Sequence, residues 1–265
     1  MMTGNKEIVV VGRLIAIGDI HGCHIELQEL LDIIQPSFDS GDDVWAVGDA
    51  FDRAGPKCAM EVYKIFKKYD IKYLYGNHDG ELKDKIINNK TIHKPWFKDW
   101  WDSFDSEAKE WFLAAEKYYH FYDKSIYGRD VLLVHAGIDP EKDYEYLDPR
   151  VLCTIQCVDP MAIDKRLRYF KAKKDWSNRC NYWPNWFKPE GRYQDMDIVF
   201  GHTPHMPHEQ CEYRPLDKLW IYAVDSGCCR GGFLSAYILD KDVGVATVCR
   251  VKAKKDYYFE SYKNH

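Results

Sequence analysis

Apolar and polar positions alternate along the first third of the chain in a repeating order. Residues 9–20 form a run of β-branched and aliphatic positions in which Arg13 and Asp19 carry the only charges. Residues 25–34 then place Ile25, Leu27, Leu30, Leu31 and Ile34 at three- and four-residue spacing, the period of a helix with one apolar face. The cycle repeats with an apolar run at 44–47, a polar loop from Asp49 to Pro56, and helical periodicity over 59–69. Residues 71–75 give a third strand. Strands that alternate with helices, each strand nearly continuous in apolar residues, predict an α/β fold whose sheets are covered on both faces.

Residues 90–122 change character, crowding Trp96, Phe97, Trp100, Trp101, Phe104, Trp111 and Phe112 into a segment that reads as an inserted helical packing layer. Strand patterns resume at 131–134, 198–200, 220–224 and 233–239, and 243–251 reads as a last hairpin arm. With no internal repeat and no low-complexity linker, residues 1–265 are expected to form a single domain carrying the 90–122 insertion.

Short polar clusters follow five of the apolar runs: Gly18-Asp19-Ile20-His21-Gly22, Gly48-Asp49-Ala50-Phe51-Asp52-Arg53, Gly76-Asn77-His78-Asp79, His135-Ala136-Gly137 and Gly201-His202-Thr203. One such cluster alone is weak evidence, since a lone Gly-Asp pair or histidine is more often a turn or a satisfied core group. Five in order point elsewhere, because loops beyond the carboxyl ends of strands meet along one edge of a sheet. The donors they bring, imidazole with carboxylate and amide oxygen and no thiolate, suit manganese, iron, zinc or nickel and argue against calcium. The glycines fit tight turns and a close approach of backbone to phosphate.

These motifs resemble the calcineurin-like metallophosphoesterases of the phosphoprotein phosphatase type. That signature reads G-D-x-H-G, G-D-x-x-D-R, G-N-H-E/D, H-A/G-G and G-H-T, and the likeness runs from Gly18 to Gly227. Val47 to Arg53, Val134 to Gly137 and Phe200 to Pro204 look most similar to the bacterial and phage branch, which holds the phosphatase of phage lambda and the symmetrical diadenosine tetraphosphatases. The resemblance implies a two-sheet β-sandwich flanked by helices and a pair of divalent metal ions, first among them manganese. It assigns Asp19 and His21 to one metal, Asn77, His135 and His202 to the second, and Asp49 to the bridge. Two such ions can share a water, lower its pKa and clamp a phosphoryl group for in-line attack. The resemblance also implies that His78 protonates the leaving oxygen, oriented by Asp52, and that Arg53 grips phosphate oxygens in its planar fork. Arg179, in the stretch Asp175-Trp176-Ser177-Asn178-Arg179, is the candidate second phosphate-binding arginine by likeness to a Trp-Asn-Arg stretch of the phage enzyme. Two departures stand out: Asp52-Arg53-Ala54-Gly55 where Asp-Arg-Gly is usual, expected to move the backbone after Arg53, and Asp79 where Glu is usual.

Composition narrows the function classes. A formal net charge of −5 gives no global attraction to nucleic acid or anionic membrane. The nine scattered cysteines, with no Cys-x-x-Cys pair, read as reduced thiols and a cytoplasmic setting. Buried thiols are the expected role of Cys153, Cys157, Cys180 and Cys211, ahead of a structural zinc site. The expected partner is a phosphorylated substrate. The leading expectation is a serine/threonine phosphoprotein phosphatase; the alternative is a hydrolase of dinucleoside polyphosphates, nucleotides or RNA ends, for which the Trp96–Phe112 segment could supply stacking surfaces. A metal-free binding scaffold is disfavoured, because every ligand type, the acid and the arginine are present together.

Overall fold

Strands and helices alternate through the amino-terminal half of the computed structural model, which describes residues 12–115, 117–139, 142–158, 169–170, 193, 195–204, 212–216, 219–241 and 244–258. The elements run β1 (Leu14–Ile17), α1 (His24–Ile34), β2 (Asp43–Ala46), α2 (Pro56–Lys68), β3 (Lys72–Tyr73), α3 (Asn77–Ile87), α4 (Pro95–Ser103) and α5 (Ser106–Ala114). There follow β4 (Tyr119–Tyr122), α6 (Lys124–Tyr127), β5 (Asp130–Val134), α7 (Pro149–Thr154), β6 (Cys157–Val158), β7 (Tyr169–Phe170) and β8 (Met196–Phe200). The chain continues through β9 (Glu212–Leu216), β10 (Leu219–Ala223), β11 (Asp225–Ser226), β12 (Phe233–Leu239) and β13 (Ala246–Lys252).

Two sheets form the centre. In the first, β1, β2 and β3 are parallel neighbours and β12 runs antiparallel to β1, β11 and β13. In the second the order is β4-β5-β8-β10-β9, with β5, β8 and β10 parallel. Period-two alternation sorts each strand between two apolar layers. Leu14 and Ala16 join Trp45, Val47, Leu133, Val199 and Tyr237 between the sheets, while Ile15 and Ile17 face α1 and α2 in a cluster with Leu27, Leu30, Val62 and Phe66. On the far side of the second sheet, Leu132, Val134, Ile198 and Phe200 pack with Leu152 of α7. Helix, sheet, sheet and helix therefore stack in the sandwich expected from the sequence, and burial on both faces explains why the strands read as unbroken apolar runs.

The aromatic segment is core. Phe51 is fully buried at its centre, with Phe66, Tyr73, Trp100, Phe104, Trp111 and Phe112 at ring-centroid distances of 5.3 to 6.2 Å. The helical reading of 90–122 holds for α4 and α5 and then fails, because Tyr119–Tyr122 is strand β4, paired antiparallel with β5. Aromatic residues suit a pleated surface as well as a helix face, and pairing decides between them. In α1 the apolar stripe also shifts: Ile25 is 47% exposed and Glu26 is buried. The Glu26 carboxylate accepts the Lys254 backbone N–H at 2.7 Å and the Tyr257 hydroxyl at 2.9 Å, which offsets the cost of burying a charge. No described helix is long and apolar enough to cross a membrane.

Candidate metal centre

The carboxyl ends of the parallel strands put the motif residues at one edge of the sandwich. Asp19 and His21 follow β1; Asp49, Asp52 and Arg53 follow β2; His135 follows β5 and His202 follows β8. Asn77 and His78 sit in the first turn of α3 rather than in a loop. His21, Asp49, Arg53, Asn77, His78 and His202 line a cleft of about 220 Å³, together with Gln156, Asp225 and Arg230. Arg179 lies outside the described residues.

Backbone geometry makes this convergence possible. Four site residues, His21, Asp49, Arg53 and His202, adopt positive φ of 48°, 48°, 79° and 70°, a conformation that side chains with a Cβ rarely tolerate. Strain of this kind collects where a surrounding structure holds a functional geometry. Gly48 has φ 116°, and a Cβ there would stand 2.4 Å from the His135 ring. A Cβ on Gly201 would meet the Asp19 carboxylate at 2.1 Å. Ala54 and Gly55 complete the turn after Arg53, with Gly55 at φ 105° just ahead of Pro56, so the departure from Asp-Arg-Gly is absorbed as a left-handed turn at the start of α2.

Nitrogen and oxygen atoms able to bind a metal converge here. His135 donates its Nδ1–H to the Val47 carbonyl at 2.9 Å, leaving Nε2 unprotonated. That nitrogen lies 3.2 Å from the Asn77 Oδ1 and 3.5 Å from the Asp49 Oδ2, both of which are acceptors. His202 Nδ1 approaches the same Asn77 oxygen at 2.8 Å. His21 gives its Nδ1 to the Asp52 Oδ1 at 2.6 Å and turns Nε2 towards the carboxylates of Asp19 and Asp49, at 3.8 and 3.9 Å. A ligating histidine is typically fixed in this way, with its second nitrogen tied to a carbonyl or carboxylate. Asp19, His21 and Asp49 bring ligand atoms within 4.8 Å of one another, and so do Asp49, His135 and His202. The two groups share Asp49.

Electrostatics asks for cations here. Asp19 Oδ2 is buried with no hydrogen-bond partner among the described residues. Burial pushes the Asp19 carboxyl well above its ordinary pKa, and the nearby Asp225 and Asp49 add to the rise. Burial likewise raises Asp225. Asp49 is lowered despite its burial, because His135, His78 and His21 surround it. Buried carboxylates crowded at one cleft, one of them with an idle oxygen, fit divalent ions better than any set of protons.

Asp52 serves two rings. While Oδ1 takes His21, Oδ2 takes the His78 Nδ1 at 2.5 Å, and the Arg53 Nε lies 3.3 Å from the same oxygen. Burial opposes charge on His78, yet Asp52 and Asp49 outweigh it and raise the imidazole to about 9. Arg53 donates from Nη2 to the His78 Nε2 at 3.1 Å, which requires that nitrogen to be unprotonated. A protonated Nε2 cannot accept that bond, so a charged His78 and the Arg53 contact exclude one another. Asp79, given no role from the sequence, accepts the backbone N–H of Asp49 at 2.7 Å and of Gly76 at 3.0 Å, locking two motifs together. Asp225 had a legible signal, an acidic residue directly after a strand. Gln156 and Arg230 had none.

The calcineurin-like phosphoesterase profile matches residues 12–225. The chain belongs to that family. As a member of it, the protein is a metal-dependent phosphoesterase, a hydrolase of phosphoric esters, and several curated relatives that it matches carry nucleotide names. The symmetrical bis(5'-nucleosyl)-tetraphosphatase of Pseudomonas fluorescens is 27% identical, over 90% of this chain and 93% of its own. The asymmetrical bis(5'-nucleosyl)-tetraphosphatase of Oceanobacillus iheyensis is also 27% identical, over 83% of this chain and 86% of its own. Among solved structures, a candidate diadenosine tetraphosphatase superposes with a TM-score of 0.65 at 23% identity, covering 91% of this chain and 94% of that one, a likeness of fold.

Proposed function

We propose that this phosphoesterase hydrolyses dinucleoside polyphosphates symmetrically, cutting a bis(5'-nucleosyl) tetraphosphate into two nucleoside diphosphates. The observation that carries the reading is the convergence of imidazole nitrogens and carboxylate oxygens on Asp49, in a cleft whose rim bears two arginines. Curated relatives that match most of the chain act on such nucleotides by name, and the phosphoprotein expectation has no comparable support for its substrate.

Asp19, His21 and Asp49 would hold one divalent ion and Asp49, Asn77, His135 and His202 a second, in the first instance Mn(II), which supply Lewis acidity and a water of lowered pKa. The remaining steps belong to the chain. The Arg53 fork leaves His78 Nε2 for the oxygens of the bound phosphate, a bidentate match that a guanidinium makes well. His78, held at Nδ1 by Asp52, then directs Nε2 at the bridging oxygen. One water is consumed: its oxygen bonds to the attacked phosphorus as the bridging P–O bond breaks. The electron pair stays on the departing diphosphate, which takes a proton from His78, and a proton released by the water restores the imidazole.

Incubating the Mn(II)-loaded protein with diadenosine tetraphosphate and separating the products tests the reading. ADP as sole product is expected. ATP with AMP would place the cut off centre, and turnover of p-nitrophenyl phosphate without turnover of the tetraphosphate would remove the polyphosphate reading.

A further inference from the structure

We infer that Arg230 is a specificity-determining residue that grips the outer phosphates of a polyphosphate chain, paired with Arg53 on the ring of Tyr258; this rests on the substrate class proposed above. Arg230 ends a 3₁₀ turn, Cys228–Arg230, between Gly227 at φ 69° and Gly231 at φ 79°. The turn is anchored from inside the centre, since the buried Asp225 accepts the Gly227 N–H at 2.9 Å. Its far end is tied down as well, the Lys252 ammonium donating to the Gly231 carbonyl at 2.7 Å. The Arg230 backbone is therefore placed as firmly as the site itself, while its side chain is exposed at the mouth of the cleft.

Two guanidinium groups share one ring there. The Arg53 Cζ lies 5.0 Å from the Tyr258 ring centroid and the Arg230 Cζ 4.9 Å from it. Their charge environments differ. Arg53 has the Asp52 carboxylate at 3.3 Å, whereas the Arg230 guanidinium makes no hydrogen bond or ion pair among the described residues. Ring contact stabilises an exposed cation only slightly, and like charges gathered on one ring oppose each other. An anion between them relieves that repulsion and uses both forks. A phosphate monoester has one phosphoryl group, which the metal site and Arg53 already engage. A polyphosphate carries further phosphates in line with it, and among the described residues Arg230 is the rim cation placed to meet them. Arg230 thus contributes to binding the chain of phosphates and little to the chemistry at the attacked phosphorus.

The experiment compares wild-type, Arg230→Ala and Arg230→Lys proteins, all full length and Mn(II)-loaded, on diadenosine tetraphosphate and on p-nitrophenyl phosphate. Binding of inorganic tripolyphosphate, measured by calorimetry, provides a readout independent of turnover. Losing a charge-assisted contact should lower the ratio of kcat/KM on the tetraphosphate to that on the aryl phosphate by roughly 10–100-fold, chiefly through KM. Tripolyphosphate affinity should fall by a similar factor, and Arg230→Lys should recover part of both. An unchanged ratio with unchanged tripolyphosphate affinity would overturn the inference. If the wild-type protein turns over only the aryl phosphate, the proposed function fails, and the tripolyphosphate titration alone then decides whether Arg230 grips polyphosphate.

Discussion

Asp52→Asn is the most informative perturbation, because one isosteric change strikes two imidazoles. In the native site Oδ1 holds His21 Nδ1 at 2.6 Å and Oδ2 holds His78 Nδ1 at 2.5 Å. An amide keeps the shape but has one accepting oxygen and one donating nitrogen, so only one of the two Nδ1–H groups can stay where it is. The other ring must carry its proton on Nε2 instead. If that ring is His21, the lone pair facing Asp19 and Asp49 is lost, and a change in the partner of a ligating histidine typically costs about 10–100-fold in metal affinity. If it is His78, the imidazole loses the carboxylate that favours its charged form, and a positioned acid contributes roughly 10²–10⁴-fold. Activity measured against Mn(II) concentration, on phenyl phosphate and on p-nitrophenyl phosphate, separates the two losses. We expect the half-activating Mn(II) concentration to rise about tenfold or more. At saturating Mn(II), kcat should fall more on phenyl phosphate, whose leaving group needs a proton, than on the nitrophenyl ester. A Mn(II) activation curve superimposable on wild type together with equal losses on both esters would refute the claim that Asp52 positions the two imidazoles.

His78→Asn should retain its bound metal while kcat drops by about 10²–10⁴-fold on phenyl phosphate and less on p-nitrophenyl phosphate; metal lost with activity, measured by atomic emission, would make His78 a ligand. Chelation followed by dialysis should abolish hydrolysis and lower the melting temperature, with Mn(II) restoring both, since an ion bound to the native state at 100 times its Kd adds about 2.7 kcal/mol. Activity persisting after metal removal would contradict the assigned chemistry. Asp42 tests the scaffold: burial would raise its carboxyl, but the Arg13 guanidinium and the backbone N–H groups of Arg13 and Ser37 hold it below the ordinary value. A lowered folded pKa stabilises above the unfolded value of about 3.9 and is lost as pH falls through the folded one, so Asp42→Asn should cost roughly 1–3 kcal/mol at pH 7 and converge on wild type in acid. Parallel denaturation curves that keep their separation at pH 3 would dismiss this linkage.

Much of the site was legible in the linear order of residues, because its grammar is local. An apolar run followed by Gly-Asp-x-His or Gly-Asn-His names both the strand and the donors beyond it, and β12 falls on the residues its alternation predicts, Phe233–Leu239. Side-chain period and donor chemistry are properties of neighbours in sequence. The helical start of α3 escaped notice because its first turn holds motif residues with little apolar periodicity, and β4 escaped because aromatic residues serve either kind of element. Other features depend on residues that meet only after the sheets have paired. The hold of Asp52 on His21 as well as His78, the Asp79 link between two motifs, and the sharing of Tyr258 by Arg53 and Arg230 all join segments brought together by the parallel register of β1, β2 and β3 and the return of β12 beside them. Residue types announce which donors a chain possesses; which lone pairs face one another, and which cations crowd the rim where a substrate is chosen, follows from distances that the chain acquires on folding.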